Sequence, residues 1–319
     1  MLAIKVATRE VIFLGTSSQV PTRARNHNAF FIRFDDLGIL VDPGEGTQRQ
    51  MVHAGLSASQ ITHVAITHFH GDHCLGFAGM VQRISLDRVP HPIEVFYPAS
   101  GEVFFDRLRH SSIFHDQSNL VPRPLKARDD GEVLAGTSGS VRFLIRPLDH
   151  AVETIGYRLQ EDDGRRMLPE KLEAAGIRGP AVGVLSRDGK IEIAGRTILL
   201  EDVSVPRRGQ SIAVTMDTRL CDGARQLAKD ADLLVSEATY LSTEAEEARA
   251  HMHMTALEAA TMAREQNVRR LALTHFSQRY TTLEPFRIEA SRVHPDAHIA
   301  VDLAIVEVPP RDDDSPKTR

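Results

Sequence analysis

The run Thr67-His68-Phe69-His70-Gly71-Asp72-His73, set directly after the apolar stretch Ile61-Thr62-His63-Val64-Ala65-Ile66, constrains this chain more than any other feature. Three imidazoles and a carboxylate fall within six positions, at the point where a strand should give way to a helix. Such groups are costly to bury without partners, so packing alone does not account for them. A metal ion satisfies all of them together. Imidazole and carboxylate without thiolate suit zinc, with manganese or iron as alternatives. Imidazoles at i and i+2 can converge from a loop, while the carboxylate and its neighbouring imidazole at i+4 and i+5 can face a second ion.

The same local grammar recurs. The apolar stretch Val141-Arg142-Phe143-Leu144-Ile145 is followed closely by Asp149-His150. Ile212-Ala213-Val214-Thr215-Met216 ends in Asp217, and Leu271-Ala272-Leu273-Thr274 ends in His275. In layered α/β proteins the C-terminal strand edge is where ligands collect. The donor count fits two ions: His68, His70 and His150 for one, Asp72, His73 and His275 for the other, and Asp217 as a bridge. Two ions ~3.5–4 Å apart can share a water, lower its pKa towards neutral and stabilise both oxygens of an in-line displacement. That chemistry points to hydrolysis, and phosphodiester cleavage suits it. Asp72 could also orient and deprotonate the water.

The chain has 319 residues, 42% hydrophobic and 25% charged, enough for one large or two modest domains with a real core. No apolar run approaches the ~20 residues that span a bilayer, and residues 1–10 carry no signal-peptide core. The only cysteines are Cys74 and Cys221, so a disulfide framework is not expected and a reducing cytoplasm is. Cys74 reads as a small buried residue on a first helical turn rather than a ligand. A formal net charge of −5 argues against a protein that coats nucleic acid non-specifically, but leaves room for local basic patches.

Strands are predicted at 10–15, 29–34, 39–41, 64–67, 93–97, 141–147, 211–216, 233–236 and 271–274, and helices at 47–54, 75–86, 101–109, 223–229 and 255–266. The last helix is best marked, with Thr255 as N-cap and Glu258 three residues on. This interleaving indicates an α/β layered protein. Residues 160–206 break the rhythm: they are polar, glycine-rich and include Gly176-Ile177-Arg178-Gly179-Pro180. Between 164 and 199 seven Lys/Arg face four Asp/Glu, a basic excess inside an acidic protein. The segment reads as a projecting insertion, and the acidic tail 309–319 as disordered.

With these residues in view, the chain resembles the metallo-β-lactamase superfamily and, within it, the ribonuclease Z family of tRNA 3′-processing endonucleases. Phe13-Leu14-Gly15-Thr16-Ser17-Ser18 with Asp42-Pro43-Gly44-Glu45-Gly46-Thr47-Gln48 is similar to that family's amino-terminal signature. Pro21-Thr22-Arg23-Ala24-Arg25-Asn26 resembles its substrate loop, with arginine in place of a lysine. Asp217-Thr218-Arg219 and Thr274-His275-Phe276-Ser277-Gln278-Arg279-Tyr280 resemble its later motifs. His253-Met254-Thr255 is similar to a His-Ser-Thr element, and Ser236-Glu237-Ala238-Thr239 to a His-Glu-Ala-Thr box in which serine replaces histidine.

The resemblance implies a four-layer αβ/βα metallo-β-lactamase sandwich over 1–308, with residues 160–206 as an inserted exosite arm that grips the tRNA elbow. It implies all seven ligands named above around two zinc ions per subunit. His253, oriented by Glu237, would assist the scissile phosphate or leaving group. Arg23, Arg25 and Asn26 would bind substrate near the site, and Lys171 and Arg178, with Arg187, Lys190 and Arg196, would meet phosphates on the arm. The expected activity is cleavage of precursor tRNA after the discriminator nucleotide by a hydroxide made at the metal pair, in a cytoplasmic homodimer. Two other readings stay open: a small-molecule or cyclic-nucleotide phosphodiesterase on the same fold, and a non-catalytic scaffold that has kept its donors.

Overall fold

The computed structural model describes residues 9–127 and 133–311. Two seven-stranded sheets carry the chain. Across the first, the order is Ile305–Glu307, Arg9–Gly15, Ala29–Phe34, Leu37–Val41, His63–Ala65, Ile93–Pro98 and Leu120–Leu125. Across the second it is Ala297–Ile299, Arg270–Thr274, Leu233–Glu237, Ser211–Thr215, Thr154–Glu161, Val141–Leu148 and Val133–Ser138. Each sheet mixes antiparallel hairpins with a parallel run, and the parallel strands are continuous buried stretches such as Ser211–Thr215 and Leu233–Glu237. Burial on both faces is what helix-covered parallel strands require.

Alternate residues of the two sheets, among them Phe13, Phe30, Phe96, Phe143, Tyr157, Val214 and Val235, meet in one central core. A second core joins the outer face of the first sheet to the helices Thr47–His53, Phe77–Leu86 and Glu102–Arg109. A third joins the second sheet to Asp222–Ala228, Ala256–Glu265 and Glu284–Ser291. Helix, sheet, sheet and helix stack in that order, the four layers of the expected sandwich.

Three expectations need correction. The eight-residue strand Thr154–Glu161 lies in the middle of the second sheet, where Gln160 pairs with both Arg142 and Ser211. The excursion therefore leaves the sheet after Glu161, not at Gln160. Beyond that point a stem of Gly164–Met167 against Ser204–Arg207 carries two helices, Pro169–Ala174 and Pro180–Asp188, and a hairpin of Lys190–Ile193 with Arg196–Leu199. Its polar composition concealed a small core of Ile177, Leu185 and Val203, packed by Leu172, Val182, Ile191 and Ile198. Residues 312–319 of the expected disordered tail lie outside the described residues, but the start of the tail is tied down. Pro309 accepts hydrogen bonds from Gln210 and Arg269, and Arg311 pairs with buried Asp232 at 2.6 Å.

At the root of the excursion Glu161 binds Arg9 at 2.7 Å, Arg207 at 2.5 Å and the Gln210 amide at 3.0 Å. Burial opposes its ionisation, yet the two guanidiniums prevail and hold its carboxyl down at about 2.

Candidate metal centre

A cleft of about 1200 Å³ opens where the strand ends of both sheets meet, with His70, Asp72, His150, Asp217 and His253 on its walls. Each ligand candidate arrives on the loop that follows an apolar strand. The strand His63–Ala65 feeds the loop bearing His68 and His70, and the short helix Gly71–Cys74 presents Asp72 and His73. His150 follows Val141–Leu148, Asp217 follows Ser211–Thr215, and His275 follows Arg270–Thr274.

These donors form two groups. His68 Nε2 lies 3.0 Å from His70 Nδ1, which lies 3.3 Å from His150 Nε2. Asp217 Oδ2 faces the same group, 3.6 Å from His68 and 3.8 Å from His150. In the second group His73 Nε2 and His275 Nε2 approach to 3.1 Å, and Asp72 Oδ2 sits 3.5 Å from each. Asp217 Oδ1 turns to this group at 3.2 Å from both imidazoles. One carboxylate thus offers an oxygen to each group. All seven residues named from the sequence as ligand candidates are brought together.

The hydrogen bonds around the rings favour a cation between them. The far nitrogen of most of these rings is already committed. His150 Nδ1 donates to the Met252 carbonyl at 3.1 Å, and His73 Nδ1 to Asp42 at 2.8 Å. His68 Nδ1 donates to Thr67 Oγ1, whose own proton goes to Asp42; His275 Nδ1 donates to Thr239 Oγ1, whose proton goes to Glu237. His73 Nε2 and His275 Nε2 therefore point lone pairs at one another across 3.1 Å, as His68 Nε2 and His150 Nε2 do towards His70, and Asp217 Oδ1 is buried with no hydrogen-bond partner. Without a cation the second group can relieve this only by taking up a proton, whereas in the first a neutral His70 can donate from Nδ1 to just one of its two neighbours. At His73 burial disfavours that proton, but Asp217, Asp72 and Asp42 outweigh it and raise its pKa well above imidazole's usual value. Buried His68 is pushed the other way and stays neutral. A divalent cation held by these donors would replace repulsion with ligation.

Asp42, the first residue of the Asp42–Gln48 signature, is a further functional residue. It accepts from the Thr67 amide, Thr67 Oγ1 and His73 Nδ1, at 2.7, 2.7 and 2.8 Å, and so aims two ligands. Thr239 does the equivalent for His275. The site also holds strain: Asp42, Asp217 and His275 have φ of 45°, 29° and 62°. Each such backbone costs a non-glycine residue ~1–3 kcal/mol, which the surrounding packing must over-determine. Gly44 meets a stricter need, since a Cβ there would lie 2.2 Å from the Asp72 carbonyl.

Beside the donors, His253 Nδ1 donates to Glu237 Oε1 at 2.9 Å. Burial alone would lower His253, but the carboxylate lifts it to about 9. Glu237 is fully buried and is itself held by the Thr218 amide at 2.7 Å and Thr239 Oγ1 at 2.7 Å. Ser236 plays no part in that network, because its hydroxyl turns to the Glu237 carbonyl. Cys74 is buried, donates to the His70 carbonyl, and its thiol is pushed up to about 12 by burial.

The substrate-loop residues divide. Arg23 is exposed beside Thr22, which lines the cleft. Arg25 is buried, donating to the carbonyls of Tyr280 at 3.0 Å and Ser277 at 3.1 Å, so it braces the 277–280 loop. Asn26 is likewise spent on the Glu45 carbonyl at 2.8 Å. Both side chains support neighbouring loops, and neither lines the cleft. Lys171 and Arg178 are exposed on the excursion, Arg178 pairing with Glu173 at 3.0 Å, and neither lines the cleft.

Two packed sheets with donors at their strand ends define a metallo-β-lactamase-type protein, and residues 22–168 match the family model described as the metallo-beta-lactamase superfamily. Relatives narrow the class. The chain is 51% identical over 308 residues to a ribonuclease Z of Salinispora arenicola, covering 96% of this chain and 98% of that one. It is 49% identical to a ribonuclease Z of Streptomyces coelicolor, covering 96% and 100%. Among solved structures, human short-form tRNase Z superposes with a TM-score of 0.69 at 26% identity, over 94% of this chain and 99% of that one. The chain belongs to the ribonuclease Z family of the metallo-β-lactamase superfamily.

Proposed function

We propose that this protein is a metal-dependent endoribonuclease that removes the 3′ extension of precursor tRNA, cutting after the discriminator nucleotide. One observation carries the reading: seven donors form two clusters that share Asp217, in an open cleft beside a His253–Glu237 pair. The related ribonucleases Z supply the substrate class.

The donor set suits two zinc ions per subunit, one with His68, His70 and His150, the other with Asp72, His73 and His275, and Asp217 between them. When bound, such a pair supplies Lewis-acid stabilisation of phosphate charge and acidifies water towards neutral pH. The protein's own groups do the rest. Asp72, fixed through Oδ2 by the Gln19 amide at 2.7 Å, is placed to take the proton of the attacking water. His253 carries a proton at neutral pH, and its Nε2–H is the donor for the departing ribose oxygen, leaving a 3′-hydroxyl on the tRNA. Glu237 keeps the other ring nitrogen protonated and the ring aimed.

Away from the chemistry, Arg23 and the excursion's Lys171 and Arg178 are read as phosphate contacts on a homodimer working in the cytoplasm. No described helix is long and apolar enough to cross a membrane. The test is to map the cut on an unprocessed tRNA transcript and measure metal on the same sample. A single cut after the discriminator with about two zinc ions per chain is expected. A zinc-loaded protein that leaves the transcript intact while hydrolysing small phosphodiesters would overturn the reading.

A further inference from the structure

His251 takes no part in the donor clusters or the His253–Glu237 pair, yet it lines the same cleft. It caps the C-terminus of the helix Ala245–Ala250, and Met252, with φ of 60°, turns the chain so that His251 and His253 both reach the cleft wall. The two imidazoles flank one aromatic ring. Tyr240 lies 6.0 Å from His251, nearly parallel at 14°, and 6.1 Å from His253 at 53°. Tyr240 Oη lies 3.0 Å from His251 Nδ1, a hydrogen bond that fixes the plane of an otherwise exposed imidazole.

The mount is rigid. Tyr240 is only 6% exposed, and its carbonyl accepts the Ala256 amide at 2.9 Å. Arg279, exposed on the neighbouring loop, places its guanidinium 4.9 Å from the Tyr240 ring centroid. That loop is tied in turn, since Tyr280 Oη accepts the Leu241 amide at 3.1 Å. An exposed planar ring on a buried aromatic base, with a cation against the same base, is the pairing that single-stranded nucleic acid meets through base stacking and phosphate contact. Core packing does not explain it, because His251 and Arg279 are both exposed.

We propose that His251, held flat by Tyr240, is the stacking platform for the base of the discriminator nucleotide, with Arg279 meeting an adjoining phosphate. The inference rests on the endonuclease reading. The choice of nucleotide follows from geometry: His253 serves the departing 3′-oxygen, that oxygen belongs to the discriminator ribose, and His251 stands across one ring from His253. His251 is a binding and positioning residue and transfers no proton.

The test is a double cycle between His251→Ala and an abasic discriminator position, using a precursor tRNA with a short 3′ extension. For wild type the abasic substrate raises KM about tenfold, as expected for one lost stack, with little change in kcat. His251→Ala raises KM of the intact substrate by a similar factor, and removing the base then costs nothing further. His251→Phe, which keeps a flat ring but loses the Tyr240 hydrogen bond, recovers part of the affinity, whereas His251→Gln does not. Additive effects of the two changes, coupling instead to an abasic site one nucleotide downstream, or a fall in kcat at unchanged KM would each overturn the proposal. A wild-type protein that fails to cut the precursor at all defeats the endonuclease reading instead, so the two failures are distinguishable.

Discussion

The cleft and the excursion are made of opposite materials. The cleft crowds imidazoles and carboxylates into a buried space and holds Asp42, Asp217 and His275 at positive φ, so its order depends on everything around it. The excursion turns exposed lysines and arginines outward over a core of three buried apolar residues, and joins the body through one two-stranded stem. Chemistry needs donors fixed to a fraction of an ångström; reaching along a polyanion needs charge and length. The two regions should therefore fail differently.

The largest effect is expected at Asp72, the carboxylate proposed to serve both ligation and proton transfer. Asp72→Ala should lower single-turnover cleavage by ~10³-fold or more, with precursor binding reduced far less. Equal losses in both would remove its chemical role. His253→Ala comes next, lowering kcat by ~10²–10⁴-fold, and Glu237→Gln should lose less, since it acts only through His253. A near-normal His253→Ala turnover would move the proton donor elsewhere.

Asp42→Asn probes the support rather than the donors. Zinc affinity should fall ~10–100-fold in a chelator competition, because two ligands lose their aim. Replacing 164–207 with a short glycine-serine link is the matching experiment on the excursion. The register puts Gly164 opposite Arg207, so the ends are close enough to join. KM for precursor tRNA should rise about tenfold or more at moderate salt, with a flatter salt dependence, and a small chromogenic phosphodiester should be affected much less. Equal losses on both substrates would mean that the excursion supports the cleft.

The smallest functional effect belongs to the root. Glu161 sits at about 2 in the folded protein against about 4.5 when unfolded, so its stabilisation is complete above pH 4.5 and disappears as pH falls towards 2. Glu161→Gln should lower stability at pH 7 by on the order of 2 kcal/mol and flatten the acid limb of a Tm–pH curve. An unchanged acid limb would show that Arg9 and Arg207 are satisfied without it.

Legibility follows the range of the interactions involved. Ala29–Phe34 matches its predicted span, and the Thr255 cap with Glu258 stands as expected, because a strand's apolar run and a capping box are local patterns. Thr154–Glu161 carries the alternation Ile155, Tyr157, Leu159, a usable signal, but its polar end merged with the excursion's composition. Arg25 and Asn26 are polar residues in a loop, and nothing local reveals that carbonyls of residues 277–280 and 45 consume their donors.

From the chain alone came the donor inventory, the strand-end grammar that delivers each donor, and the family those motifs resemble. Tertiary structure decided which oxygen of Asp217 faces which group, that Asp42 and Thr239 aim the imidazoles, and that the polar excursion has a core of its own. The division has a physical cause. A metal-competent side chain is a property of one residue, whereas the direction of its lone pair is set by hydrogen bonds to partners as far as 102 positions away.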